Sequence, residues 1–267
     1  MRVESSRAVV AIYPVHYLTV SMTFVHRQLL GVAGAFRPIV LAESTGNTDR
    51  FPFEPIFVCQ RGAVGGRVAS LLGRLVTGRR RMLTPLQLFR FSRILRREKV
   101  ALIHAHFGPG GLDMLPLARS MRIPLLVTFH GYDASSLLRE PEYCRALRWL
   151  FRHAHVITVS EIMRERLLRE GAPPERTQVH YIGVPVADFT CVPRKAVAAK
   201  VLAGEPVRFL QVSNFVEKKG HRYTLEAFAG IVNRYPGCSL TLAGDGPLRG
   251  EMQKLSKDLD IASRVSF

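Results

Sequence analysis

The sequence contains no run of about 18 apolar residues, so it predicts no membrane-spanning helix. The apolar stretch near its amino end is too short for a secretory signal, and we therefore expect a cytoplasmic protein. Its four cysteines lie far apart without a CxxC pair, which excludes the common zinc and disulfide patterns and predicts free thiols. The 267 residues, 47% of them hydrophobic, suffice for one large core or two smaller ones.

Acidic residues are scarce: 21 Asp and Glu oppose 38 Lys and Arg, which gives a formal net charge of +17. Between Arg61 and Lys99 the acid Glu98 accompanies eleven basic residues, three of them consecutive at 79–81. Three interpretations are open: a solvated arginine-rich surface, attraction to anionic lipid headgroups, and nucleic-acid binding. Interleaved leucines and phenylalanines favour lipid over nucleic acid, which would allow a peripheral location on the inner face of the cell membrane.

Residues 207–228 have the pattern of a strand, a polar turn and a helix. Lys218, Lys219 and Gly220 lie at the junction, where the unpaired amides of a helix start already favour an anion. One interpretation is a phosphate site. The alternative is an ordinary solvated turn, as charged runs usually are.

The next segment repeats the pattern. Residues 239–243 predict a strand, and Gly244-Asp245-Gly246 turns the chain into a helix that we expect to open at Pro247. Two consecutive β-loop-α units predict a parallel sheet that binds ligands at the carboxyl ends of its strands.

The first 184 residues show the same alternation of strands and helices. We expect strands at 8–13, 38–41, 56–59, 123–129 and 155–159, helices near 66–77 and 85–98, and Ser21 as the N-cap of the first helix. Together the patterns predict an α/β fold.

Several residues with side chains suited to chemistry follow predicted strands. His104 and His106 share one face of a strand, but a metal ion needs more ligands than these two, so we expect no metal site. Gly110 lies in a turn able to approach a ligand closely. His130 and Asp133 follow the strand at 123–129, at the end of the sheet where ligands bind. The alternative is that His130 caps the next turn, with Asp133 as a helix N-cap.

The segments FVEKKGHRYTLEAF and LTLAGDGPLRGEM, with HAHFG and VTFHGYD earlier, resemble family 4 glycosyltransferases. These are retaining nucleotide-sugar enzymes with two facing Rossmann-like domains, the GT-B fold. The resemblance implies an acceptor-side domain at 1–184, a linker at 185–206 and a partial nucleotide-sugar domain at 207–267. The second domain is expected to be incomplete, since the family's downstream E-x7-E segment is absent.

The resemblance also implies roles for the residues named above. The histidine of the T-x-H-G-x-D segment, here His130, lies beside the transferred sugar and is the expected catalytic residue. Three more residues are expected on the acceptor and sugar side, namely Asp133, His106 and Gly110.

The donor diphosphate is expected to contact residues at the second strand-to-helix junction, namely Lys219, Lys218, Asn214 and Gly220. Family members usually carry Gly-Arg where this chain has Ser213-Asn214. Asn214 can donate hydrogen bonds but adds no positive charge, so charge neutralisation would rest on the two lysines and helix-end amides.

The function implied is transfer of a sugar, with retention, from a nucleotide-diphosphate donor to a lipid-linked or polysaccharide-precursor acceptor. No cofactor and no metal are expected, since lysines can take over the electrostatic role of a metal ion. Two alternatives stay open: a catalytically inactive protein that binds sugar nucleotides or a membrane surface, and a sugar-nucleotide epimerase.

Overall fold

The computed structural model describes residues 7–19, 22–62, 83–191, 193–235 and 237–267. The chain divides into two compact units, Met1–Val184 and Pro185–Phe267. The helix predicted at 66–77, the Ser21 N-cap and the arginines at 79–81 lie outside the described residues.

The first unit is built on a parallel sheet. The strands described there are β1 (Val9–Tyr13), β2 (His16–Tyr17), β3 (Arg37–Ala42), β4 (Ser44–Thr45), β5 (Ile56–Val58), β6 (Val100–His106), β7 (Leu125–Phe129), β8 (Ala154–Thr158) and β9 (Thr177–Val179). One seven-stranded sheet has the order β5-β3-β1-β6-β7-β8-β9, and β2 pairs with β4. The chain builds outwards from β1 to β5 and then returns to β6. The carboxyl ends of β1 and β6 therefore mark the point where strand order reverses, which is where such sheets bind ligands.

The helices described in the first unit are α1 (Thr23–Val32), α2 (Pro85–Arg97), α3 (Gly108–Met121), α4 (Pro141–Phe151) and α5 (Glu161–Arg169). Two of these helices, α2 and α5, begin with a side-chain N-cap. The hydroxyl of Thr84 accepts the amide of Gln87 before α2, and that of Ser160 accepts the amide of Met163 before α5.

Strand alternation divides the apolar residues of the first unit between two cores. Ala11 and Tyr13 of β1 belong to a large core that includes residues of α2 to α5, such as Phe91 and Leu147. Val10 and Ile12 belong to a second core with α1. The sheet therefore has apolar cores on both faces, as expected for a parallel sheet.

The second unit contains α6 (Arg194–Leu202), β10 (Arg208–Val212), α7 (His221–Val232), β11 (Ser239–Ala243), α8 (Arg249–Asp258) and β12 (Val265–Ser266). Its strands pair in parallel in the order β10-β11-β12. Leu240 and Leu242 of β11 pack with Phe228 of α7 and Met252 of α8. Residues 185–206, predicted as a linker, contain α6.

The prediction of an α/β fold with parallel sheets is confirmed. The helix expected to open at Pro247 begins instead at Arg249. The carbonyl of Gly246 accepts the amide of Arg249 at 3.1 Å in a tighter turn, and the first helical hydrogen bond runs from Met252 to Leu248 at 2.9 Å, so Pro247 stays in the turn. Among the described residues, no helix is both long and apolar enough to cross a bilayer.

Candidate functional site

His130 lies at the carboxyl end of β7, beside the last residue of β6. Its Nε2 is 2.9 Å from Nδ1 of His106, and the two rings are stacked with centroids 5.2 Å apart. His104 lies on the same face of β6, with its ring 4.6 Å from that of His106, and its Nε2 is 2.7 Å from the hydroxyl of Thr128. The structure therefore brings together two predicted site residues, His130 and His106, in one hydrogen-bonded pair.

The three histidines are held neutral by burial. Burial lowers the pKa of His104 to about 4, and it lowers the pKa of His130 to about 3, with the neighbouring His104 adding to the effect. The pKa of His106, which is 1% exposed, is also lowered well below its usual value by burial. Neutral imidazoles donate from one nitrogen and accept at the other, so a single proton links His106 and His130.

Asp133 is fully buried and binds three backbone amides. One carboxylate oxygen accepts the amide of Gly108 at 3.0 Å, and the other accepts the amides of His130 and Gly131 at 3.0 and 2.8 Å. Burial raises the pKa of this carboxyl, while the amide hydrogen bonds lower it. Asp133 thus positions the loop of His130 and caps the start of α3, which precedes it in the chain, rather than a following helix.

The glycines at the start of α3 permit close packing. A side chain at Gly108 would collide with the hydroxyl of Tyr143, and one at Gly111 would lie 2.7 Å from Val127. Gly110 is buried, and a Cβ there would lie 3.5 to 3.6 Å from Val15 and Tyr13. The structure therefore places Gly110 against the end of β1, and its contact with a substrate stays a prediction.

Two aromatic rings contact His130 and a third contacts one of them, and sequence reasoning missed all three. The ring of Phe24 lies 4.6 Å from the imidazole and that of Phe107 lies 4.7 Å from it, while Tyr132 is 5.4 Å from Phe107. We call Phe24, Phe107, His130 and Tyr132 the aromatic cluster. The available signal was the position of Phe107 directly after β6 and of Tyr132 three residues after β7.

Within the described ranges, no group of three or more His, Cys, Asp or Glu side chains is arranged to hold a metal ion. The expectation that the reaction needs neither metal nor cofactor stays a prediction.

In the second unit, the predicted phosphate-binding residues lie between β10 and α7. Glu217–Lys219 form a 3-10 turn, and Gly220 follows with a φ of 67° as the N-cap of α7. No side chain caps this helix. Lys218 and Lys219 are exposed, and no ion pair is recorded for either within the described part of the chain. A helix start with uncapped amides and two nearby cations is suited to bind an anion.

A side-chain network behind this turn was also missed. The amide nitrogen of Gln211 donates to the carbonyl of Lys219 at 3.0 Å and to the hydroxyl of Ser213 at 3.1 Å, while its oxygen accepts from Thr224 at 2.7 Å. The Ser213 hydroxyl also lies 3.1 Å from Nε2 of His221. Ser213 thus links the end of β10 to α7.

Asn214 is exposed at the carboxyl end of β10, close to the loop that follows β11. In that loop Gly246 has a φ of 152°, and a Cβ there would lie 2.6 Å from the carbonyl oxygen of Phe215. A Cβ at Gly244 would collide with the carbonyl oxygen of Ser213. The two loops at the carboxyl ends of β10 and β11 therefore lie backbone to backbone, and Asn214 and the lysine turn are both in the first of them.

Comparison with known proteins places the chain in a family. Residues 33–188 match the protein family described as Glycosyltransferase Family 4, and residues 194–267 match the family described as Glycosyl transferases group 1. Since the first match alone covers more than half of the 267 residues, the chain belongs to glycosyltransferase family 4.

Two relatives illustrate the similarity. WcaL of Salmonella typhimurium, named as a colanic acid biosynthesis glycosyltransferase, is 29% identical over 166 residues, which are 61% of this chain and 39% of WcaL. The alpha-D-kanosaminyltransferase of Streptomyces kanamyceticus is 29% identical over 191 residues, covering 65% of this chain and 49% of that protein. The chain thus spans less than half of the length of either relative.

Among solved structures, HepE of Anabaena in complex with UDP and glucose has a TM-score of 0.72 and 18% identity, over 98% of this chain and 68% of that one. This likeness shows the GT-B fold.

Proposed function

We propose that the protein transfers a sugar from a nucleotide-diphosphate donor to a lipid-linked or polysaccharide-precursor acceptor, with retention at the anomeric carbon. The observation that carries the proposal is the uncapped start of α7 beside the exposed Lys218 and Lys219. Departure of a nucleoside diphosphate develops negative charge, and preorganised amides and ammonium groups stabilise such charge without reorganising. The two lysines would supply the positive charge that a metal ion gives in other enzymes.

His130 would act on the sugar side. Because its imidazole is neutral and hydrogen-bonded to His106, it would contact a sugar hydroxyl or the developing oxocarbenium ion as a dipole rather than as a cation. Such transfer can proceed by front-face attack, in which an oxygen of the leaving diphosphate takes the proton of the acceptor hydroxyl. The enzyme then needs no protein nucleophile.

The acceptor is proposed to lie at an anionic membrane surface, and α2 supports this. Leu86 and Phe89 are 54% and 59% exposed, and Arg90 and Arg93 lie on the same helical face. The guanidinium of Arg93 lies 5.9 Å from the centre of the Phe89 ring. Apolar and basic side chains on one exposed face are suited to anionic headgroups.

The test of function is a transfer assay. The protein would be incubated with UDP-, GDP- and dTDP-hexoses and with lipid-linked saccharide acceptors, and the products analysed by mass spectrometry and NMR of the anomeric proton. A new α-linked product from an α-linked donor supports the proposal. Nucleotide binding without transfer would indicate the inactive alternative, and interconversion of two free sugar nucleotides would indicate an epimerase.

A further inference from the structure

We propose that Tyr132, supported by Phe107 and Phe24, forms a stacking subsite for a neutral pyranose ring of the acceptor saccharide. The inference rests on the proposed function, since it names the acceptor chemistry on the His130 side. Aromatic faces carry negative potential and attract the C–H groups on the apolar face of a pyranose ring. An exposed ring next to a reacting centre can therefore orient a sugar while its hydroxyls form hydrogen bonds.

The first supporting observation is exposure at the correct end of the sheet. Tyr132 is 43% exposed and directly follows the His130-Gly131 turn at the carboxyl end of β7. Its ring lies at 36° to that of Phe107, which in turn contacts His130. The aromatic surface is thus continuous from the solvent to the imidazole.

The second observation is the rigidity of this surface. Tyr132 begins a 3-10 turn whose next residue, Asp133, is fully buried and binds three backbone amides. The carbonyl of Tyr132 accepts a hydrogen bond from the hydroxyl of Ser136 at 3.2 Å. Such anchoring fixes the backbone of Tyr132 before a ligand arrives, which lowers the entropic cost of binding.

The third observation is strain at Phe107. This bulky residue has a φ of 65° and a ψ of 145°, a backbone conformation that residues with a Cβ rarely adopt. Its amide donates to the carbonyl of Thr128 at 2.8 Å, and its carbonyl accepts the amide of Gly111 at 3.0 Å, so the conformation is held from both sides. Strain of this kind is retained where it positions a functional side chain. Here it places the Phe107 ring between His130 and Tyr132.

The fourth observation concerns charge and an unpaired atom. The four side chains of the aromatic cluster are uncharged, the imidazole of His130 included, so they present ring faces rather than a charge to a ligand, which suits a neutral saccharide better than a phosphate. Nδ1 of His130 is shielded from solvent and has no hydrogen-bond partner among the described residues. Buried polar atoms are normally paired, so this nitrogen is available to a ligand hydroxyl only where the rings around it move apart on binding.

Binding of simple sugars to the protein tests the subsite. Methyl glycosides of glucose, galactose and mannose, in both anomeric forms, would be titrated while binding is followed by saturation-transfer NMR. We expect at least one glycoside to bind. Tyr132→Phe should retain its affinity, while Tyr132→Leu, which keeps the apolar volume but removes the ring, should weaken binding about three- to tenfold.

Tyr235→Leu is the matched control, because Tyr235 is 54% exposed and belongs to the second unit. It should bind the glycoside as the parent protein does. No binding by any glycoside, or equal affinity in Tyr132→Leu and the parent protein, overturns the subsite. A weakening in Tyr132→Phe equal to that in Tyr132→Leu overturns stacking as its cause.

The sugar-binding assay is independent of turnover. If the transfer assay finds no product but glycoside binding depends on the Tyr132 ring, the proposed function fails and the subsite stands. If transfer occurs and Tyr132→Leu leaves the acceptor KM unchanged, the proposed function stands and the subsite fails.

Discussion

Nδ1 of His106 lies 2.9 Å from Nε2 of His130, although the residues are 24 positions apart in the chain. Parallel pairing of β6 with β7 places His106 opposite Thr128, two residues before His130. Whether Nδ1 of His106 carries a proton therefore decides whether Nε2 of His130 accepts or donates, and so fixes the tautomer of His130.

We predict that His106→Leu lowers kcat about three- to tenfold, because loss of this hydrogen bond leaves His130 in a mixture of tautomers. The KM of the nucleotide-sugar donor should change little. His106→Asn, whose amide can replace the lost donor or acceptor, should recover part of the rate. Steady-state kinetics of the three proteins decide the matter, and an Asn variant as slow as the Leu variant would contradict the positioning role.

The first unit should become less stable as the pH falls below about 6.5, the ordinary pKa of histidine. In the folded protein the pKa of His104 is lowered to about 4 and that of His130 to about 3. Below pH 6.5 the unfolded chain therefore binds more protons than the folded chain, and this favours unfolding. The contribution of the two neutral histidines to the free energy of unfolding is fully present above pH 6.5 and is lost progressively as the pH falls towards 4 and 3.

Urea titrations between pH 7 and pH 4 can measure this dependence. In His104→Gln the decline in unfolding free energy should be shallower than in the parent protein. Asp133 acts in the opposite direction, because burial raises its pKa, and it is common to both proteins. An identical slope in the two proteins would exclude His104 as a source of the pH dependence.

Lys219→Ala should weaken binding of the nucleoside diphosphate about ten- to hundredfold, since a charge-assisted hydrogen bond to phosphate is lost. Lys254, exposed on α8, is the matched control, and Lys254→Ala should change the Kd little. Calorimetry with the nucleotide alone gives both values. Equal affinity in Lys219→Ala and the parent protein would show that the turn at 217–219 is an ordinary solvated turn and not a phosphate site.

Gly246→Ala should destabilise the second unit by about 1–3 kcal/mol, because its φ of 152° is unfavourable for alanine and a Cβ would lie 2.6 Å from the Phe215 carbonyl oxygen. Gly250→Ala, in α8 with nothing within 4 Å of the added carbon, should instead stabilise by about 0.5–1 kcal/mol. Denaturant unfolding measures both changes, and a shift of the same sign in the two variants would contradict the argument.

The sequence predicts the parallel strands well because their apolar runs are long and are punctuated by glycine and proline. It also places His106 and His130 near the carboxyl ends of strands, since His106 lies at the end of one predicted strand and His130 directly follows another. It cannot predict their hydrogen bond, which depends on the register of β6 against β7. The interaction of Asp133 with Gly108, 25 positions away, is equally invisible. The start of α8 differs from the expectation because the tighter turn from Gly246 to Arg249 takes up Pro247, and the preference of proline for a first helical turn does not reveal this.

The carboxylate of Asp133 has a consequence for motion. By binding the amides of Gly108, His130 and Gly131, it joins the start of α3, which follows β6, to the loop that follows β7. Neither segment can shift without straining a buried hydrogen bond, so their positions are coupled. A displacement of the first turn of α3 would therefore act on the loop that carries both His130 and Tyr132.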